Sequence, residues 1–191
     1  MKPSLLDFTQ KELMTLIKPS FRVKQIFGWL YHNYAESFDE MKNIPKALKA
    51  ELEEKYIVNP LKIVNKEESS DGTIKYLLGM QDGKTMEAVW LKMKDTQLDD
   101  NGEVIQEAKY TICVSTQVGC KVGCSFCLTG KGGFTRDLTA GEIVAQVVTL
   151  KRDNDHKHNR KINIVYMGMG EPLDNLDNLA KALEIFKEDE G

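Results

Sequence analysis

Cys120-Lys121-Val122-Gly123-Cys124-Ser125-Phe126-Cys127 holds three of the chain's four cysteines in the spacing C-x3-C-x2-C. Thiolates this close in sequence can converge on one soft metal centre. Gly119 and Gly123 let the backbone curl around such a centre without a Cβ in the way. The number of ligands is informative. An ordinary four-iron cluster takes four cysteines. Three leave one iron open to a substrate or cofactor, as catalytic zinc sites keep one position open. The stretch therefore reads as a reactive cluster. An apolar, strand-like run, Tyr110-Thr111-Ile112-Cys113-Val114-Ser115, leads into it, and a glycine-rich loop, Gly130-Lys131-Gly132-Gly133, follows.

Downstream, Thr139-Ala140-Gly141-Glu142 is a capping box that opens a helix to about Arg152, with Ile143, Val144, Val147 and Leu150 as its apolar stripe. Lys151–Lys161 is a charged linker. Ile162–Met167 has the composition of a short buried strand and ends in Gly168-Met169-Gly170-Glu171-Pro172. Asn175–Glu188 is the next helix, with Leu179, Ala182, Leu183 and Phe186 expected inward. The order strand, loop, helix, strand, loop, helix is the start of a parallel β/α barrel, and both motifs fall just past strand C-termini, its active-site face. Residues 128–191 make up roughly two β/α units at about 30 residues each. The barrel is therefore expected to be incomplete in this chain. The final Glu188-Asp189-Glu190-Gly191 also puts acidic groups where a helix dipole favours basic ones.

Upstream, Thr9-Gln10-Lys11-Glu12 caps a short helix to about Ile17, and Pro19 stops it. A second helix is predicted from Phe21 to about Asn33, with Val23, Ile26, Phe27, Leu30 and Tyr31 as its stripe. Trp29 reads as core rather than as a base-stacking platform. A third helix runs from Pro45 to about Tyr56, with Ala47, Leu48 and Leu52 inward. Past Pro60 the period changes. Leu61–Glu67, Thr73–Met80 and Lys84–Met93 read as strands joined at Asp71-Gly72 and Asp82-Gly83, with Leu77, Val89, Trp90 and Leu91 supplying apolar faces. The acidic stretch Asp95–Glu107 is expected to be a long hairpin connection or loop. The predicted fold is α/β: a partial (β/α) barrel over 109–191, preceded by a helical module over 1–58 and a β-meander over 59–108.

The composition, 41% hydrophobic and 29% charged, is that of a globular domain, and no apolar run is long enough to span a bilayer. Met1–Phe8 lacks a signal-peptide core, so the cytoplasm, where thiols stay reduced, is the expected location. A net charge of -3 does not announce a nucleic-acid binder. Two local basic clusters nonetheless stand out: Lys2, Lys11, Lys18, Arg22 and Lys24, and Lys151, Arg152, Lys157, Arg160 and Lys161. Each is either a solvated face or a phosphate contact.

With Phe126 as its aromatic, C-x3-C-x-aromatic-C resembles the signature of radical S-adenosylmethionine (SAM) enzymes. Cys113-Val-Ser-Thr-Gln-Val-Gly-Cys120, Gly133-Phe-Thr-Arg136 and Gly168–Pro172 narrow it. All resemble the dual-specificity 23S ribosomal RNA and tRNA adenine-C2 methyltransferases, and the likeness runs over the whole chain. That family's chains continue well beyond this length, so the chain is expected to be truncated relative to them.

The resemblance implies a 4Fe-4S cluster held by Cys120, Cys124 and Cys127, with the methionine amine and carboxylate of SAM on the open iron. One-electron cleavage of SAM would give a 5′-deoxyadenosyl radical. Gly170 would allow close backbone approach to SAM, and Glu171 would accept from its ammonium. The family methylates a cysteine near its C-terminus, and the radical then takes hydrogen from that methyl group. The carbon radical adds to adenine C2, a carbon unreactive towards polar methyl transfer. Glu87 matches the residue that removes the C2 proton. Cys113 matches the cysteine that resolves the adduct through a transient disulfide. The methyl-accepting cysteine has no counterpart, so the chain alone is expected to lack methyl transfer. The implied partners are 23S rRNA and tRNA, gripped in part by the helical module, and an electron donor such as a flavodoxin or ferredoxin. Nothing suggests an obligate dimer, so a monomer is expected.

Other readings stay open at this point. The sister C8-adenine methyltransferases, which confer antibiotic resistance, share the cluster logic. A non-catalytic zinc or RNA-binding module would use Cys113, His156 or His158 as fourth ligand. Taken alone, Cys113 is a small core residue, Glu87 a solvent-facing strand residue, and Gly168–Pro172 a turn that ends a strand.

Overall fold

The computed structural model describes residues 2–158 and 160–188. The chain opens with a 3-10 turn at Leu5–Asp7, helix α1 at Gln10–Leu16 and helix α2 at Phe21–Phe27. The Thr9 side chain accepts from the Glu12 amide, and the Glu12 side chain accepts from the Thr9 amide, so the expected capping box is formed. Helix α2 widens into a π turn at Gly28–His32 rather than running evenly to Asn33. The cause is local. Both the backbone and the side-chain amide of Asn33 donate to the Gly28 carbonyl, five residues back. Val23, Ile26, Phe27, Leu30 and Tyr31 are all buried. Trp29 is half-buried, and its Nε1 donates to Asn43 Oδ1 at 2.6 Å.

Helix α3, Lys46–Lys55, buries Leu52 and half-buries Leu48, but Ala47 is exposed. The helix touches its neighbours through a narrow i, i+4 stripe, and Ala47 lies outside it.

A five-stranded sheet forms the centre. Strands β1 (Lys62–Glu68), β2 (Ile74–Gly79) and β3 (Thr85–Lys94) make the expected antiparallel meander, with a bulge at Val64. The acidic connection carries its own small hairpin, β4 (Gln97–Leu98) with β5 (Val104–Gln106). Strand β6 (Lys109–Cys113) then pairs antiparallel with β3. Strand β7 (Gln117–Gly119), helix α4 (Leu128–Lys131) and strand β8 (Phe134–Asp137) follow; β7 and β8 form a separate antiparallel ribbon. Helix α5 (Ala140–Asp153) leads to β9 (Asn163–Val165), which pairs parallel with β6, and helix α6 (Leu176–Phe186) follows. The sheet order is β1-β2-β3-β6-β9. The meander and the β/α unit thus share one sheet.

One face of that sheet is the core. Tyr76, Leu78, Met86, Ala88, Trp90, Ile112 and Val114 are buried on it. Helix α5 packs there, with Tyr76 Oη donating to Asp153 Oδ2 at 2.6 Å. The opposite face, with Leu77, Glu87, Val89, Leu91, Cys113 and Val165, is half-buried or open.

Helix α5 is buried on every side from Ala140 to Leu150, not along a single stripe, because the N-terminal 3-10 turn and α6 cover what the sheet does not. On α6, Leu179, Ala182 and Ile185 are buried, whereas Leu183 is 38% exposed. Contacts at i, i+3 and i+6 turn position 183 outward. Residues 189–191, part of the predicted acidic helix end, lie outside the described residues. No helix among the described residues is long and apolar enough to cross a membrane.

Candidate metal centre

The three-cysteine loop hangs between β7 and α4, just beyond the C-terminal end of β6. Its entry is fixed by Gly119, at φ +79°, where a Cβ would lie 1.9 Å from the Gly133 carbonyl oxygen. That carbonyl accepts from the Cys120 amide at 3.0 Å. Gly123 is also left-handed, at φ +68°, and the Cys127 amide donates to the Cys124 carbonyl at 3.0 Å, closing the turn. The glycine-rich stretch is not all loop: Leu128–Lys131 forms one helical turn starting at Cys127. Gly130 in that turn packs on the Gly123–Cys124 backbone, where a Cβ would come within 3.2 Å.

This small helix does chemical work that the spacing alone did not reveal. The Gly130 amide, helped by the Thr129 amide and hydroxyl, holds the Cys127 thiol below the ordinary cysteine range. A thiolate is the form that binds iron. Cys124 is exposed, and Cys120 and Cys127 are half-buried, so all three reach a loop surface open to a cluster. Phe126 and Leu128 beside them are 90% and 83% exposed. A soft, thiolate-rich donor set on a glycine-relieved backbone fits an iron–sulfur cluster.

A zinc site built on the same cysteines would need a fourth ligand. The histidines weighed for that role lie elsewhere. His156 packs edge-on against Trp90 and Tyr110, towards the other end of β6, and His158 stacks on His32.

The Gly168–Pro172 loop docks directly on the exit of β6. The Gly168 amide donates to the Val114 carbonyl, and the Met169 amide to Ser115 Oγ at 2.8 Å. The Thr116 amide donates to the Met169 carbonyl. The Glu171 amide donates to Gln117 Oε1, while Gln117 Nε2 donates to Asp137 Oδ1. Gly170 sits at φ +100°, and a Cβ there would lie 2.6 Å from Gln117 Cβ. Gln117 alone therefore requires glycine at this position. Glu171 Oε1 accepts from the Leu173 amide and caps the following 3-10 turn. Ser115 and Gln117 were missed by sequence reasoning, although both lie in the quoted motif between Cys113 and Cys120. Two uncharged polar residues continuing an apolar strand were the available signal.

Glu87 and Cys113 project from the open face of the sheet, on adjacent strands, since Val89 is the direct partner of Cys113. The Glu87 side chain is half-exposed, and Lys75 Nζ lies 3.6 Å from its Oε1. Burial pushes the Cys113 thiol up, partly offset by the Met167 amide. A cavity of about 450 Å³ is lined by Glu87, Met169, Gly119, Leu128, Thr129 and Gly133, among others. It brings the candidate base, the Gly168–Pro172 loop and the flanks of the cysteine loop to one place.

The chain resembles known proteins over its whole length. The family model for the ribosomal RNA large subunit methyltransferase N-terminal domain matches residues 4–58, and that for the radical SAM superfamily matches residues 114–191. The chain is 78% identical over 191 residues to a dual-specificity RNA methyltransferase RlmN from Sulfurimonas denitrificans, covering all of this chain and 54% of the relative. It is 58% identical to an Aliarcobacter butzleri protein of the same name, covering 99% and 52%. A crystal structure of a radical SAM methyltransferase from Sphaerobacter thermophilus superposes with a TM-score of 0.86 at 40% identity, covering 99% of this chain and 53% of that one. The chain thus spans about half the length of the curated relatives it matches. Its motifs, its fold and these matches agree: the chain belongs to the RlmN family of dual-specificity RNA methyltransferases.

Proposed function

We propose that this chain supplies the RNA-gripping module and the cluster-binding half-barrel of an enzyme that methylates adenine C2 in 23S rRNA and tRNA. The observation that carries the proposal is the shared cavity beside Glu87, Met169 and the cysteine loop. Cys120, Cys124 and Cys127 hold the cluster as thiolates, Cys127 being set up for this by the Gly130 amide. The cluster and SAM, when bound, supply the one-electron chemistry that the unreactive C2 position needs. Glu171 receives the methionine ammonium of SAM, with its backbone fixed by Gln117. Glu87 takes the C2 proton from the open face of the sheet, with Lys75 Nζ 3.6 Å from its Oε1. Cys113, on the neighbouring strand, resolves the adduct. Residues 1–58 bind RNA, 59–108 connect, and 109–191 build the barrel. The electron comes from a flavodoxin- or ferredoxin-like donor, and the protein works as a monomer in the cytoplasm.

The test is anaerobic iron–sulfur reconstitution of the 191-residue chain, followed by electron paramagnetic resonance with and without SAM. A four-iron signal that shifts on adding SAM is the expected result. Bound zinc without acid-labile sulfide, or a signal indifferent to SAM, would overturn the assignment. In a full-length relative, mass spectrometry of the modified nucleoside separates 2-methyladenosine from the 8-methyl product.

A further inference from the structure

At the far end of the sheet from the cysteine loop lies a second cavity, of about 310 Å³, between the turn after α2 and the end of α5. Tyr34 forms one wall and Lys151, Asp155 and Lys157 the other, with His32 and His158 stacked at 4.2 Å beside it. The Lys151 ammonium sits 5.0 Å above the Tyr34 ring. Burial pulls its pKa down, so its charge is poorly solvated. Among the described residues, neither Lys151 nor Lys157 has a carboxylate within ion-pair distance. The neighbouring Arg152 is different: Glu40 at 2.8 Å and Glu36 at 3.6 Å offset its charge.

The cavity therefore carries two uncompensated ammonium groups against one carboxylate, Asp155. Two of its lining residues keep an unused polar atom. Tyr34 Oη and His156 Nδ1 are buried without a partner among the described residues, on residues only 7% and 5% exposed. Such groups are costly unless something completes them. Tyr34 and Asp155 also hold left-handed backbones, at φ 51° and 47°, unusual for non-glycine residues and concentrated here on opposite walls. The negative end of the α5 dipole faces this region, but its effect fades within a turn and is smaller than two unit charges.

We infer that this cavity binds a phosphate group, with Lys151 as the central cation and Lys157 as the second. A phosphate offers the several acceptor oxygens that two ammonium groups and a phenol can share. Its source is either the backbone of the RNA substrate, which rests on the function proposed above, or a free anion. As an RNA contact it would anchor the substrate at the junction of the helical module with the barrel, remote from the reacting adenine.

The test uses the 191-residue chain without a cluster, so it is independent of the iron–sulfur assignment. The imidazole signals of the three histidines are followed by nuclear magnetic resonance during titration with inorganic phosphate, against chloride at equal ionic strength. Saturable shifts of the His32 and His158 signals are expected with phosphate alone. They should weaken at least tenfold in Lys151→Met and about threefold in Lys157→Met, a rim change that leaves the core untouched. A short RNA stem-loop that displaces the phosphate response identifies the RNA backbone as the source; a phosphate response untouched by RNA identifies a free anion. No phosphate-specific shift, or one that survives both substitutions, overturns the proposal.

Discussion

Gly119 and Gly123 flank Cys120 and share a positive φ, yet alanine should affect them very differently. At Gly123 nothing lies within 4 Å of the added Cβ, so the cost is the left-handed backbone alone, about 1–2 kcal/mol. At Gly119 the Cβ meets the Gly133 carbonyl oxygen at 1.9 Å, inside the β7–β8 ribbon, where neither strand can yield without losing the Cys120–Gly133 hydrogen bond. Gly119→Ala should cost more than about 4 kcal/mol or dismantle the loop. Urea denaturation and iron content after reconstitution check this; equal effects of the two substitutions would contradict the described loop.

A second residue-scale prediction concerns Arg136, which bridges Asp82 at 2.7 Å and Glu142 at 2.7 Å. Its guanidinium, with the Lys84 amide, holds the Asp82 carboxyl below the usual aspartate range. A depressed carboxyl pKa stabilises the fold above its unfolded value and loses that contribution as pH falls through the folded one. The stability advantage of wild type over Asp82→Asn should be about 0.5–1 kcal/mol at pH 7, as for a partly exposed pair. It should shrink as pH falls below the ordinary aspartate range and vanish once the carboxyl is protonated in the folded state. An advantage independent of pH would mean that Asp82 acts by packing alone.

Helix α5 is the element that joins the two ends of the molecule. Its first turn is capped twice: by the expected Thr139–Glu142 box and, from 134 residues away, by Asp7 Oδ1, which accepts from the Gly141 amide at 2.7 Å. Asp7 Oδ2 also accepts from the Ser4 amide, so one carboxylate caps two elements. Gly141 is needed for this, since a Cβ would lie 2.6 Å from Asp7 Oδ1. Asp7→Ala should therefore cost about 2 kcal/mol, twice a typical single cap, with Asp7→Asn milder. A loss below about 0.5 kcal/mol in urea denaturation would show that the Thr139 box suffices.

The local capping box was legible because both its partners lie within four residues. The Asp7 cap was not, because a lone Asp in a polar N-terminus carries no mark of a helix 134 residues away. The same limit explains other differences. The stripe on α5 was read correctly, but its polar face is buried too. Gln146 sits there because its side chain accepts from the Ser115 amide and donates to the Ser115 carbonyl, a long-range need that periodicity does not report. The three strands of the meander, by contrast, were readable from alternation and Asp-Gly turns, signals that live within each hairpin.

At the scale of the whole chain, the four cysteines limit what this molecule does alone. Three occupy one loop, where the proposed function places one cluster, and Cys127 is already biased towards thiolate. Only Cys113 remains. It is half-buried in a sheet strand, its thiol pushed up by burial and contacted by the Met167 amide. The proposed chemistry needs two further thiols, one to carry the methyl group and one to resolve the adduct, because the resolving disulfide joins the methyl-carrying sulfur to a second sulfur as the carbon–sulfur bond breaks. The reconstituted 191-residue chain, supplied with SAM, a reductant and 23S rRNA or tRNA, should therefore cleave SAM to 5′-deoxyadenosine yet leave no 2-methyladenosine in the RNA. Liquid chromatography with mass spectrometry reads both products in one experiment. Methylated adenosine would show that Cys113 or a loop cysteine takes a second role, and absence of both products would place the failure at the cluster rather than at the missing thiol.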